Sequence, residues 1–284
     1  MVKKTENMEE LKEIARRMRI DIVKMINAAG SGHPGGSLSA IDIIVSLYFS
    51  RMNHSPSDKP EARRDRFVLS KGHAAPALYA VLAECGYFDK SELLALRKEG
   101  SILSGHAYAA TPGVEVTAGS LGQGLSQANG LALANRLNND DSNVYCVIGD
   151  GEMQEGQIWE AAMTAAHYKL GSVITFLDNN GLQIDGPLDV IMNIKPAADK
   201  WRAFGWHVQE IDGHDFAQIL EAVDNAKKEM ERPSMIVAKT VKGKGVSFME
   251  NQVKWHGTAP NDEELKKAIE ELSTAPLGAA ADHV

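Results

Sequence analysis

The chain has 284 residues, 44% of them hydrophobic, and a formal net charge of −8. That length can bury a substantial core, and the acidic balance argues against a nucleic-acid partner, which demands a basic face. Two cysteines, Cys85 and Cys146, are too few and too far apart for a disulfide framework or a zinc knuckle. The apolar runs are well short of a membrane span, and the charged residues 1–10 lack a signal-peptide pattern, so a soluble cytoplasmic protein with no membrane partner is expected.

Apolar residues recur at spacings of three and four from Leu11 to Ile26, which predicts a helix over 8–29 that stops at Gly30-Ser31-Gly32. Pro34-Gly35-Gly36 reads as a turn before a second helix at 39–52, and the polar stretch 53–64 as a loop. A short strand is expected at 67–70 and a helix at 74–85. A glycine-rich run, 117–124, leads into a helix over 125–137. Val144 to Ile148 is a β-rich run ending at Gly149-Asp150-Gly151, with a helix over 156–168 behind it. Val173 to Leu177 is a second such run, ending at Asp178-Asn179-Asn180-Gly181. Strands at 206–211 and 235–239, with a helix at 215–231 between them, complete the set. Strands alternating with helices imply an α/β fold, a parallel sheet covered by helices on both faces. Ligands of such sheets sit at the carboxyl ends of the strands, where Asp150 and Asn180 fall. The reading gives one domain over 1–274 and a small-residue tail, 275–284.

Gly-Asp-Gly and Asn-Asn-Gly are, singly, ordinary turn sequences. Paired about thirty residues apart across a strand–helix–strand unit, they suit a divalent cation. Magnesium takes hard oxygen ligands and shares its remaining sites with phosphate and water. Asp150 and Asn180 supply one charged and one neutral oxygen, and a main-chain carbonyl beyond Asn180 a third. The glycines let the backbone approach a phosphate without a Cβ in the way. Four histidines lie beside glycine in short loop contexts: Ser31-Gly32-His33-Pro34-Gly35, Ser70-Lys71-Gly72-His73, Ser104-Gly105-His106 and Trp255-His256-Gly257. Imidazoles suit a reaction in which hydroxyl groups lose and regain protons near neutral pH. His54, His167, His207, His214 and His283 read as structural or exposed.

The segment from Gly149-Asp150-Gly151-Glu152-Met153-Gln154-Glu155-Gly156 to Asn179-Asn180-Gly181-Leu182-Gln183-Ile184-Asp185-Gly186, with the four histidine contexts in order, resembles the thiamine diphosphate motif of transketolases. The resemblance covers about residues 8–260. It implies a thiamine diphosphate-binding (PP-type) fold, and that Asp150, the Asn180 side chain and the Leu182 carbonyl hold Mg2+ (or Ca2+ or Mn2+). It also implies that the Gly151 amide meets the diphosphate, that Ile184 packs on the thiazolium ring, and that Gly119, Ser120 and Leu121 line the cofactor. Ser120 stands where a proline is common. His33 and His106 would contact sugar hydroxyls, His73 the diphosphate, and His256 would lie between diphosphate and substrate. Glu155 matches a carboxylate of a subunit-interface network near the cofactor.

The same resemblance places on a following domain the glutamate that activates the aminopyrimidine and the arginines that grip a sugar phosphate. The expectation is a split transketolase. A separate C-terminal subunit would complete an α2β2 assembly that moves a two-carbon ketol unit from a ketose phosphate to an aldose phosphate. The alternatives are a split transketolase for branched or sulfonated sugars, a non-catalytic scaffold, and a 2-oxo acid dehydrogenase-like α subunit.

Overall fold

The computed structural model describes residues 4–56 and 63–274; the tail at 275–284, His283 and part of the 53–64 loop lie outside them. In chain order come α1 (Met8–Ala29), α2 (Pro34–Ser46), β1 (Arg66–Leu69), α3 (Ala75–Glu84), α4 (Gln123–Leu137), β2 (Val144–Gly149), α5 (Gly156–His167) and β3 (Val173–Asn179). A two-stranded hairpin of β4 (Leu182–Gln183) and β5 (Gly186–Pro187) follows, then α6 (Leu188–Ile191), α7 (Ala197–Ala203), β6 (His207–Asp212), α8 (Phe216–Lys228), β7 (Ser234–Lys239) and α9 (Asp262–Thr274).

Five strands form one parallel sheet in the order β1-β2-β3-β7-β6. Alternate residues of each inner strand feed different cores, as a period of two requires. Tyr145, Val147, Ile174, Phe176, Ile236 and Ala238 pack with α1, α2, α3, α8 and α9. Val144, Cys146, Ile148, Val173, Leu177, Met235 and Val237 pack with α4, α5 and α7 on the other face. The inner strands therefore read as continuous apolar runs, the signature of a sheet buried on both sides. Among the described residues, no helix is long and apolar enough to cross a membrane.

The first helix has the bounds the periodicity predicts. Asn7 caps it by accepting from the amides of Glu9 and Glu10, and Gly30 ends it at φ +63°. The second helix departs from the expectation: it begins at Pro34, so Pro34-Gly35-Gly36 is its first turn and not a preceding loop. Proline at the first helical position loses no hydrogen bond. The glycines serve contact: a Cβ on Gly35 would fall 2.8 Å from the Trp255 carbonyl oxygen, and one on Gly36 would fall 3.3 Å from His73 Nε2 and Lys71 Nζ. The far end of α2 widens into a π-helical turn, Leu47–Arg51. Helices α6, α7 and α9 and the β4–β5 hairpin are additions to the elements read from sequence. Trp201 of α7 is fully buried against Trp206, and Ala268 and Leu272 of α9 pack into the α1 side of the core.

Candidate active site

The parallel register sets Gly149 of β2 beside Asp178 of β3, which brings the two strand tips together. Asp150, 3% exposed, accepts from the Gly151 amide (2.7 Å) and from the Gly181 amide of the neighbouring tip (2.6 Å). Asn180 accepts at Oδ1 from the Leu182 amide (3.2 Å), and its Nδ2 points to Asp178 Oδ2 (3.4 Å). The Leu182 carbonyl accepts from Lys242 Nζ (3.1 Å). Burial, reinforced by the nearby Asp178 carboxylate, pushes the Asp150 pKa up to about 6. No basic side chain forms an ion pair with Asp150 among the described residues.

Beneath the tips the charges are closed. Asp178 is fully buried and bonds Lys71, Ser39 (2.6 Å) and Thr240, while Lys71 also donates to the Gly36 carbonyl (3.0 Å). Burial opposes the Asp178 charge, but Lys71 and the two hydroxyls hold its carboxyl below the usual range. Glu152, 2% exposed, accepts from the Ser70 hydroxyl, the Gly122 amide (2.9 Å) and the Gly149 amide (2.9 Å). One carboxylate thus joins the loop after β1, the glycine-rich loop before α4 and the tip of β2.

The four histidines come from four separate loops and meet at one point. His33 lies 5.3 Å from His73, 5.8 Å from His106 and 5.5 Å from His256 between ring centroids, and His73 lies 5.3 Å from His256. Burial lowers all four: His33 to about 4, helped by Arg97 and His106, and His256 to about 3, helped by Lys242. His73 is lowered well below the usual imidazole range and His106 is lowered, the latter with help from Arg97. The rings are therefore neutral near pH 7. Lys242 Nζ lies 2.9 Å from His256 Nδ1. An ammonium has no lone pair, so Nδ1 accepts and the His256 proton sits on Nε2. His33 Nδ1 is buried without a hydrogen-bond partner.

These groups line a cavity of about 370 Å³. His33, His73, His106, His256, Gly119, Leu121, Asp150, Gly151, Glu155, Asn180, Leu182 and Ile184 all contribute to its wall; Ser120, between two of them, does not. Ile184 is 61% exposed at the rim. Glu155 occupies the N-cap position of α5 but makes no capping bond, and it faces the cavity. Lys71, Glu152 and Lys242 also line it and were not singled out in sequence. Lys71 directly precedes Gly72-His73 and Glu152 directly follows Gly149-Asp150-Gly151, so both stood inside motifs already marked. Lys242 carried only the weak signal of a Lys-Gly-Lys-Gly run. By contrast, His54 and His214 are bonded within the fold, His54 to Tyr48 and Tyr87 and His214 to Asp42.

Residues 10–279 match the family model for the transketolase thiamine diphosphate-binding domain. The chain is 45% identical over 269 residues to a 6-deoxy-6-sulfo-D-fructose transketolase subunit of a Clostridium species, covering 94% of this chain and 98% of the relative. It is 39% identical over 265 residues to one subunit of the apulose-4-phosphate transketolase of Phocaeicola vulgatus, covering 93% and 94%. Human transketolase matches at 40% identity over 94% of this chain, which spans only 42% of that protein. Among solved structures, the transketolase of Campylobacter jejuni superposes with a TM-score of 0.88 at 34% identity, covering 96% of this chain and 44% of that one. The chain belongs to the transketolase family, and what it carries is that family's thiamine diphosphate-binding domain.

Proposed function

We propose that the chain is the cofactor-binding subunit of a split transketolase, acting with a separate C-terminal subunit in an α2β2 assembly in the cytoplasm. Support for the split comes from the two relatives named as subunits, which align with it nearly end to end. The observation that carries the reading is the cavity itself: Asp150, Asn180 and Leu182 line it together with all four histidines. One carboxylate, one amide oxygen and one main-chain carbonyl form a hard-oxygen set of the kind that holds Mg2+, with room left for phosphate oxygens. Among the described residues no group of three His, Cys, Asp or Glu offers a different metal site. The buried Asp150 carboxylate, without a basic partner, fits a site completed by a cation.

When bound, thiamine diphosphate supplies the carbanion chemistry by which the carbon–carbon bond breaks and reforms. The chain's own groups do the rest. The Gly151 main chain, His73, Lys71 and Lys242 face the diphosphate, and Gly119, Leu121 and Ile184 flank the ring system. Neutral His33 and His106 bind hydroxyls of the sugar and accept their protons. His256 offers the proton on Nε2, its other nitrogen being held by Lys242. Glu155 faces the subunit contact. Site residues without a lesion weigh against a non-catalytic scaffold.

The test is reconstitution. With Mg2+ and thiamine diphosphate, this chain alone should be inert toward a ketose donor and an aldose phosphate acceptor, and adding the C-terminal subunit should switch on ketol transfer. Ordinary enzymatic turnover by the chain alone sinks the split model. A narrower reading of the donor is favoured by the same two relatives, whose names specify a sulfonated ketose and apulose-4-phosphate: the two-carbon donor is a sulfonated or branched sugar. Comparing kcat/KM for such donors with that for an unbranched ketose phosphate decides it.

A further inference from the structure

Outside the cavity the molecule holds a second buried cluster of charged and titratable side chains, for which the reading above has no use. Asp42 lies in the middle of α2, 3% exposed in a helix whose every residue is buried. It accepts two hydrogen bonds from Arg19 of α1, at 2.8 and 2.7 Å, and one from His214 Nδ1 at 2.7 Å. Burial works against its charge, yet Arg19 and His214 hold the carboxyl well below the usual range. Desolvating such a group is costly, and a well-packed apolar trio often supports a fold equally well. The charges therefore call for a reason beyond cohesion.

The reason lies in what Arg19 and His214 do with their remaining donors and acceptors. The Val241 amide donates to His214 Nε2 at 2.9 Å, which fixes the tautomer: Nε2 accepts, and Nδ1 carries the proton given to Asp42. Arg19 Nε donates to the Lys244 carbonyl at 3.1 Å. A single carboxylate thereby holds two jaws that close on the main chain at residues 241 and 244. Between them stands Lys242, 2% exposed, whose Nζ reaches Leu182 O at 3.1 Å and His256 Nδ1 at 2.9 Å. The segment has little slack. Gly243, at φ +81°, donates its amide to the Gly35 carbonyl at 3.0 Å, and a Cβ on it would fall 2.4 Å from Met249 O. A Cβ on Gly213, beside His214, would fall 2.5 Å from Thr240 Cγ2.

We propose that Asp42, Arg19 and His214 are positioning residues. Their buried triad fixes the 240–245 loop so that the Lys242 ammonium stands between the Leu182 carbonyl and His256, facing the anionic end of the cofactor. None of the three lines the cavity; they act through Lys242. The claim rests on the reading of the cavity as the cofactor site.

Two measurements test it. On the ligand-free chain, His214→Ala should accelerate amide exchange in 240–245 while β2, β3 and β7 keep their protection. On the chain mixed with its C-terminal subunit, titration calorimetry with thiamine diphosphate and Mg2+ should give about a 10-fold weaker Kd for His214→Ala, the scale on which supports of liganding groups act. His214→Gln, which can both donate to Asp42 and accept from Val241, should recover most of the loss. The His214→Ala/Lys242→Met pair should bind no more weakly than Lys242→Met alone, since two residues acting through one contact are not additive. If His214→Ala does not fold, Arg19→Lys, which keeps the charge and loses the forked contact, takes its place in the same cycle. Faster unfolding with unchanged Kd, unchanged exchange in 240–245, or additive losses would each overturn the proposal. Asp150→Ala separates the two levels. If Asp150→Ala and Lys242→Met both leave Kd untouched, the cofactor-site reading falls and takes this inference with it. If both weaken binding and His214→Ala does not, only the positioning role falls.

Discussion

Two charged groups sit side by side at the ends of β2 and β3, and they are built on opposite plans. Asp178 and Lys71 are 0% and 1% exposed, and the Asp178 carboxylate is answered from within the chain by the Lys71 ammonium and the hydroxyls of Ser39 and Thr240, while Lys71 also donates to the Gly36 carbonyl. Asp150, next to them and nearly as buried, is answered only by two main-chain amides and has its pKa pushed up to about 6. A closed cluster holds strand tips in place. An open one holds surplus electrostatic demand that a cation and an anionic ligand would satisfy. The difference sorts the buried charges by task before any ligand is considered.

The comparison breaks first, and hardest, at Asp178. Asp178→Ala leaves Lys71 buried without its counter-charge and should cost about 3–5 kcal/mol of stability, the scale for removing one partner of a buried pair. Urea unfolding of the ligand-free chain measures it. Asp178→Leu combined with Lys71→Met should return much of the loss. An Asp178→Ala chain as stable as the wild type would mean that the cluster does not hold the strand tips.

Asp150→Ala should invert that pattern. Its stability should equal or exceed that of the wild type, because the substitution removes a desolvated carboxylate that repels Asp178. Metal-dependent cofactor affinity should fall by about 100-fold or more, at or above the upper end of what loss of a mere supporting group costs. Calorimetry with and without Mg2+, beside urea unfolding, separates the two effects. A destabilisation as large as that of Asp178→Ala would erase the distinction between the clusters.

His33→Ala sharpens the comparison at the open end. Since His33 faces the space among the other histidines and bonds nothing at Nδ1, cofactor affinity should stay as it is while kcat of the reconstituted enzyme falls by about 100-fold, the lower range for a positioned proton-transfer group. An unchanged kcat with a raised cofactor Kd would reassign His33 from substrate to cofactor.

The open cluster was legible in sequence and the closed one was not, for a physical reason. Asp150 and Asn180 lie just beyond apolar strand runs, and the four histidines each sit beside glycine, a setting His214 shares through Gly213, so local pattern drew attention to them and the family motif separated them from the rest. Lys71 meets Asp178 across 107 positions of chain and Arg19 meets Asp42 across 23; nothing in Ser-Lys-Gly or in an apolar helix announces a distant counter-charge. The same limit explains α2. Its glycines looked like a turn because their purpose, clearance for the Trp255 carbonyl and for His73 and Lys71, exists only once residues far along the chain have arrived. The first helix, by contrast, was readable from its 3.6-residue stripe and its glycine stop, both of them local; the Asn7 cap emerged only in the structure.

The smallest expected effect concerns pH, and its sign follows from the depressed histidines. A base whose folded pKa lies below its unfolded value binds fewer protons in the fold, so its contribution is present above the unfolded pKa and is lost as pH falls. For His33 the window opens near 6.5 and runs down to about 4; for His256 it runs down to about 3. Asp150 works the other way. With a folded pKa of about 6 against an ordinary 3.8, the fold takes up its proton first and gains stability as pH falls through that interval. The two trends overlap, so the wild-type profile alone cannot apportion them. Subtracting the profile of His33→Gln cancels Asp150 and His256 alike and leaves the His33 contribution. Between pH 7 and 5 the ligand-free wild type should lose more unfolding free energy than His33→Gln does, by a modest amount because His33 is only partly buried. Parallel profiles would show that His33 titrates alike in the folded and unfolded chain, and the open cluster would then be less desolvated than its geometry implies.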